Sequence, residues 1–272
     1  HLFYVQIPGK VCKNDTLAPK HHIADENADR LLSGLKRSGV AYVDLREEIH
    51  RQGLSHHDLF FKTDHHWKPE AGLWAAKTIA ERLNNFFDFD IETSLYDLER
   101  YDCQVYSDFL GSIGRSMTLA AAKLEPFTFL FPKFDTDLTI RILSRAIEKR
   151  GDFRVTYHQE NLEYALQEKD PYKKDYYSVY FYGLTPMISV HNHLLKHETN
   201  KILIIRDSFG YVLAPFLALG VQDVDTMDIR VGLSGFTGSI RSFIEKSLPN
   251  VVIVAYYPGM IRQEHNGAFI FQ

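Results

Sequence analysis

The sequence predicts an α/β fold on a mostly parallel sheet, and three observations carry that prediction. The first 45 residues read strand–helix–strand, the unit of a parallel sheet. Two continuous apolar runs, Ile202-Leu203-Ile204-Ile205 and Val251-Val252-Ile253-Val254-Ala255-Tyr256, have the character of strands buried on both faces. Between these runs strand and helix alternate with short connections, as in an open sheet covered by helices.

The elements follow in order. Leu2-Phe3-Tyr4-Val5-Gln6-Ile7 is a strand stopped by Pro8-Gly9. Leu31, Leu32 and Leu35 lie at helical spacing within 24–38, and Gly39 suits the position after the helix end. Val40-Ala41-Tyr42-Val43 is the second strand. Pro69 suits a first helical turn, and Gly72, Ala76, Ile79, Ala80 and Leu83 line one face of a helix over 69–84. From about 88 to 190 the rhythm is irregular: strands are expected at 127–131, 153–157 and 177–182, and a helix at 137–149. We read this stretch as an insertion or lid-like elaboration on a single domain spanning 1–272. Beyond strand 202–205, an apolar helix runs to about Leu219 and stops at Gly220. A strand at 223–229, a helix at 236–247 and the strand at 251–256 complete the chain.

Composition removes several function classes. Lys+Arg of 31 against Asp+Glu of 35 gives a formal charge of −4, without the basic footprint of nucleic-acid binding. Cys12 and Cys103 form no C-x-x-C pair, which excludes a zinc knuckle; they would pair in an oxidising compartment and stay reduced in cytosol, and the sequence does not choose. No apolar run approaches the roughly 18 residues of a membrane span. The chain opens at His1-Leu2-Phe3 without Met, so we read it as trimmed, and nothing follows about a leader or anchor. The aromatic fraction of 13% suits a large core and a ligand cleft about equally.

Ser208 is the sharpest chemical candidate. It follows the carboxyl end of a buried strand and opens a helix, where ligands bind in open α/β sheets and where helix-start N–H groups can stabilise an oxyanion. Capping is the competing role. Asp64-His65-His66 precedes the helix at 69. Asp64 and His66, two residues apart, project to one side of an extended segment, so His66 can serve as base and Asp64 as its orienter, with His65 pointing away. A metal is the rival use of this His/Asp-rich stretch, yet no His-x-Glu-x-x-His type spacing occurs. Gly111 and Gly114 mark a close backbone approach or a plain turn. Asn192 is an oxyanion-donor candidate or a surface residue. Arg230 ends the strand at 223–229; it suits an anionic group, an oxyanion or half of an ion pair.

Taken together, Thr63-Asp64-His65-His66-Trp67 reproduces the signature of the DHHW family, which is similar to the SGNH-hydrolase-like domains of bacterial alginate O-acetyltransferases. Arg206-Asp207-Ser208-Phe209 resembles the family's nucleophile segment, Asp228-Ile229-Arg230 its Asp-aliphatic-Arg strand end, and Tyr180-Phe181-Tyr182-Gly183 is also family-like. The resemblance implies an SGNH-like three-layer α/β/α domain with a triad of Ser208, His66 and Asp64. The motif order is permuted, Asp and His before Ser. Arg206 departs from the Gly that many SGNH enzymes carry before Asp-Ser, and no standard glycine or asparagine block can be placed. The resemblance further implies action outside the cytoplasm on a polysaccharide, often from a membrane anchor.

We therefore expect serine-dependent acetyl transfer or deacetylation on an extracytoplasmic polysaccharide. The acetyl donor is a protein or small molecule, and no cofactor, metal or nucleic-acid partner is expected. Arg230, Asn192 and Gly111 are the substrate or oxyanion candidates. The alternatives are a catalytically silent glycan-binding module and a metal-dependent hydrolase.

Overall fold

The computed structural model describes residues 1–11, 23–196, 200–231 and 239–261. In chain order the regular elements are β1 (Leu2–Gln6), α1 (Ile23–Arg37), β2 (Ala41–Asp44), α2 (Leu45–Arg51), α3 (Pro69–Phe87), β3 (Tyr101–Phe109), α4 (Ser112–Arg115), β4 (Glu125–Pro132), β5 (Leu138–Ile142) and β6 (Ile147–Gly151). There follow α5 (Gln159–Gln167), β7 (Met187–Asn192), β8 (Lys201–Arg206), α6 (Ala214–Gly220), β9 (Asp223–Met227), α7 (Ile240–Ser247) and β10 (Val251–Tyr256).

Eight strands form one sheet in the order β2-β1-β10-β8-β9-β7-β5-β6. The five from β2 to β9 are parallel. The apolar runs explain why β8 and β10 are central: every one of Ile202, Leu203, Ile204 and Ile205 is buried, because both faces of the sheet are covered. Successive side chains alternate between the two faces. Phe3, Val5, Ile202, Ile204, Val251 and Ile253 join one core with α3 and α6. Tyr4, Leu203, Ile205, Val254 and Met227 join the other with α1 and α7. The result is the expected three-layer α/β/α arrangement.

The middle of the chain departs from its sequence reading. The expected helix at 137–149 is instead the hairpin β5–β6, which extends the main sheet through antiparallel pairing of β5 with β7. Leu138, Ile140 and Ile142 are fully buried on one face, with Thr139 and Arg141 between them, a period of two. Ile140, Leu143 and Ile147 also fit a helical spacing, which is why local pattern alone misread the segment. The strands expected at 153–157 and 177–182 are single turns, Phe153–Thr156 and Tyr177–Val179, joined by an isolated bridge between Tyr157 and Tyr180. The strand expected at 127–131 is part of β4, paired with β3 in a separate ribbon. The stretch from 88 to 190 thus adds strands to the sheet edge. Cys103 is exposed, whereas Cys12 lies outside the described residues, as does the start of the expected helix at 236–247.

Candidate active site

The parallel strands present their carboxyl ends on one edge, and the chemistry gathers there. β8 leads directly into a turn at Ser208–Tyr211, entered through Asp207. Asp207 Oδ1 accepts the Phe209 N–H at 2.9 Å and its Oδ2 accepts the Tyr257 N–H at 2.9 Å, tying the turn to the exit of β10. The turn is therefore fixed by a buried carboxylate, and the Ser208 side chain is left free to project from it. Burial pushes the Asp207 carboxyl up, against the pull of the Arg230 charge and these two N–H groups.

The segment before α3 meets this turn from 142 residues away. His66 Nε2 lies 2.8 Å from Ser208 Oγ. His66 Nδ1 lies 2.7 Å from Asp64 Oδ1. The same Asp64 oxygen accepts the His66 backbone N–H at 2.9 Å, and Oδ2 accepts the Ser112 N–H at 2.7 Å. Burial raises the Asp64 carboxyl, but the hydrogen bond and charge of His66, with the Ser112 and His66 N–H groups, outweigh it and hold the group well below the ordinary carboxylate range. An ionised Asp64 favours the tautomer with the proton on Nδ1, leaving Nε2 as an acceptor toward Ser208. This is a serine–histidine–carboxylate array with its hydrogen bonds formed.

Aromatic packing holds the array. Trp67, fully buried, donates its indole N–H to the Phe209 carbonyl at 3.1 Å, joining the His66 segment to the serine turn. Tyr177 stacks on the His66 ring at 4.1 Å between centroids and 15° between planes. Tyr177 is a site residue the sequence reading missed; it sits in the irregular stretch 88–190, where no local signal marks it.

His65 does not point away. Its ring lies 3.8 Å from that of His66, its Nδ1 is 2.8 Å from Ser112 Oγ, and burial followed by the His66 charge lowers its pKa to about 4. The segment is a tight turn rather than an extended strand, so the alternation argument fails. Donor atoms of Asp64, His65 and His66 thereby lie within 4.8 Å of one another. Both ring nitrogens of His66 already have protein partners.

The remaining candidates separate. Gly111 donates its N–H to Thr63 Oγ1 at 2.9 Å, so it is not an oxyanion donor. A Cβ there would stand 2.3 Å from Asp64 Cβ, and the glycine is what lets the 111–112 backbone reach the carboxylate. Asn192 is at the opposite edge of the sheet, because β7 runs antiparallel to β9. It is buried, and its amide donates to the Ala218 and Leu219 carbonyls at 3.0 and 3.1 Å, closing the end of α6. The oxyanion expectation for Asn192 is therefore corrected. Arg230 is on the expected edge, where its charge acts on Asp207 and His65. Its guanidinium grips Asp228 with two hydrogen bonds of 2.8 and 2.6 Å, which makes it half of an ion pair. Arg206, in place of the usual glycine, is fully buried beneath the turn. It lies 3.7 Å from Asp228 Oδ2 and 4.8 Å over the Tyr211 ring. A Cβ on Gly210 would come within 2.2 Å of Arg206 Cδ, so glycine at 210 makes room for that side chain.

Beside the array lies a cleft of about 130 Å³ lined by His65, Phe209, Tyr257, Pro258, Lys10 and Gly9. Residues 2–104, which include the Asp64–His66 segment, match the model of the SGNH hydrolase-like domain of the acetyltransferase AlgX. That stretch is therefore similar to an SGNH hydrolase-like domain. Among solved structures the chain resembles Bacillus cereus PatB1, at 19% identity over 100% of this chain and 86% of that one, with a TM-score of 0.76. A second PatB1 structure, which carries a sulfonyl adduct, matches at 18% identity over 100% of this chain and 85% of that one, with a TM-score of 0.72. A DHHW family protein from Eubacterium siraeum matches at 17% identity over 98% of this chain and 81% of that one, with a TM-score of 0.65. Comparison with curated proteins gives no match.

Proposed function

We propose that this SGNH-like domain moves acetyl groups on or off an extracytoplasmic polysaccharide through an acetyl-serine intermediate on Ser208. The observation that carries the reading is the unbroken chain Ser208 Oγ–His66 Nε2 at 2.8 Å and His66 Nδ1–Asp64 Oδ1 at 2.7 Å. His66 Nε2 takes the Ser208 proton as Oγ attacks the ester carbonyl. Asp64 stabilises the imidazolium that forms. The oxyanion develops at the start of the 208–211 turn, and we assign the Ser208 backbone N–H as one donor toward it. His66 then returns the proton to the departing alcohol, leaving acetyl-Ser208. In the second half a sugar hydroxyl, or water, gives its proton to His66 Nε2 as it attacks the acetyl carbonyl, and His66 passes that proton to Ser208 Oγ as the acyl–Oγ bond breaks.

The match to an acetyltransferase domain supports acetyl rather than other acyl chemistry. The glycan acceptor and the location outside the cytoplasm belong to the proposal. Among the described residues no helix is long and apolar enough to cross a membrane. The 1–272 chain acts as one catalytic domain in this reading, its 88–190 insertion supplying Tyr177 and the loop at Gly111.

Rapid mixing with a chromogenic acetyl ester tests it. A burst equal to the enzyme concentration is expected, with a mass increase of one acetyl group mapped to Ser208. Ser208→Ala should abolish both, and His66→Ala should slow the burst by about 10²–10⁴-fold. A silent binding module shows no burst. A metal hydrolase loses turnover to a chelator and regains it with zinc, a reading kept because Asp64, His65 and His66 converge.

A further inference from the structure

The Asp64–His66 turn is gripped from outside by a pair of opposite charges. On one side is Glu125, the first residue of β4 and only 8% exposed. Its Oε2 accepts the Lys62 N–H at 2.7 Å, and its Oε1 accepts the Thr63 N–H at 2.6 Å and also the Thr63 hydroxyl. On the other side, Lys10 Nζ donates to the Lys62 carbonyl at 2.7 Å and to the Asp64 carbonyl at 2.8 Å. Lys10 lies four residues past β1, on the carboxyl edge of the sheet. The short backbone 62–64 therefore gives two N–H groups to a carboxylate and two C=O groups to an ammonium. Each partner carries the charge that the backbone dipoles favour, so these bonds are of the stronger, charge-assisted kind.

The grip extends to the carboxylate of the array. Thr63 Oγ1, which donates to Glu125, accepts the Gly111 N–H at 2.9 Å, and the Thr63 carbonyl accepts the Gly114 N–H at 2.8 Å. The loop held by those two bonds is the one whose Ser112 N–H reaches Asp64 Oδ2. Glu125 thus fixes Thr63, Thr63 fixes the 111–114 loop, and that loop and the Asp64 backbone jointly fix the carboxylate against His66. Lys10 also feels Glu125 and Asp64: burial lowers its pKa, and the two carboxylates oppose that shift.

We propose that Glu125 and Lys10 form a charge clamp that positions Asp64, and through it His66, for proton transfer with Ser208. Both are positioning residues; neither touches the reacting atoms. This inference rests on the triad reading above. It extends the working site to β4, beyond the matched residues 2–104, and to the segment that follows β1.

The test uses Glu125→Gln, Lys10→Met and Thr63→Val in the full chain, with turnover of a chromogenic acetyl ester normalised to the fraction of protein labelled by a sulfonyl fluoride. A side-chain amide replaces the double acceptor with a single one, Met removes both donations, and Val removes the hydroxyl link at nearly constant volume. Each should lower kcat by about 10- to 100-fold, the scale of a misplacement near 1 Å, with KM changed less than threefold. A merely structural role would lower the labelled fraction and leave kcat per labelled site unchanged, and that result overturns the clamp. Should Glu125→Gln fail to fold, Lys10→Met, which alters a half-buried side chain, carries the same kcat and KM readouts. Full turnover in Ser208→Ala sinks the triad reading itself; a dead Ser208→Ala beside wild-type kcat in the three clamp variants sinks the clamp alone.

Discussion

Arg230 offers the clearest contest between the two roles its position allowed. As a solvated residue awaiting an anionic group, its removal would leave stability unchanged. The structure gives it a different load. Asp228 is fully buried, and Arg230, 29% exposed in its side chain, supplies both of its short guanidinium contacts. Removing one member of a buried pair usually costs about 3–5 kcal/mol, since a charge is left without its partner. Here two features reduce that figure. Arg230 is partly solvated, and Arg206 Nη1 stays 3.7 Å from Asp228 Oδ2 and keeps some of the compensation. We expect Arg230→Ala to cost about 2–3 kcal/mol. For a chain of this size the melting temperature should fall by about 4–6 °C. Denaturant titration at neutral pH, followed by intrinsic fluorescence, measures it. Arg230→Lys should recover only part, because an ammonium cannot reproduce the two-pronged grip. In a cycle with Asp228→Asn, the two substitutions should be strongly non-additive. A loss below about 0.5 kcal/mol, the scale of ordinary surface substitutions, would refute the ion-pair reasoning and return Arg230 to the role of a ligand group.

Three further outcomes follow from the geometry. Gly111→Ala would push a methyl into Asp64, so it should cost about 1–3 kcal/mol and lower turnover as well, read by melting and by ester hydrolysis of the same sample. Asn192→Ala orphans two buried carbonyls at the end of α6 and should cost about 1–3 kcal/mol while leaving kcat per active site unchanged. Acidification should weaken the fold in two separate windows. His65, with its pKa lowered to about 4, binds its proton more readily when unfolded, so its contribution is complete above about 6.5 and is lost as pH falls toward 4; His65→Gln should flatten the stability profile there. Asp64, held below its unfolded value, loses its contribution only at still lower pH, and that second decline should persist in His65→Gln.

What the sequence determined by itself was whatever is written in short-range pattern. Short β-branched apolar runs alternating with helical patterns read as strands covered on both faces, so β8, β10 and the α/β class were legible. The place of Ser208 was legible too, because a residue after a buried parallel strand falls on the ligand edge. The Asp64–His66 pair could be nominated from spacing and residue type. Tertiary structure decided the rest. Whether 137–149 coils or pairs depends on β7 waiting beside it, since Leu138, Ile140 and Ile142 fit a strand and Ile140, Leu143 and Ile147 fit a helix until a partner strand fixes one. The edge on which Asn192 lies depends on the direction of β7, which no local pattern records. Arg230 looked the same as a ligand or as an ion-pair partner until Asp228 and Arg206 were seen buried together. The approach of His66 to Ser208 across 142 residues, the stacking of Tyr177 and the hold of Glu125 on Thr63 are contacts between segments that carry no mark of one another. Hydrogen bonds of that kind are specified by distance in space, and a chain's pattern encodes only distance along itself.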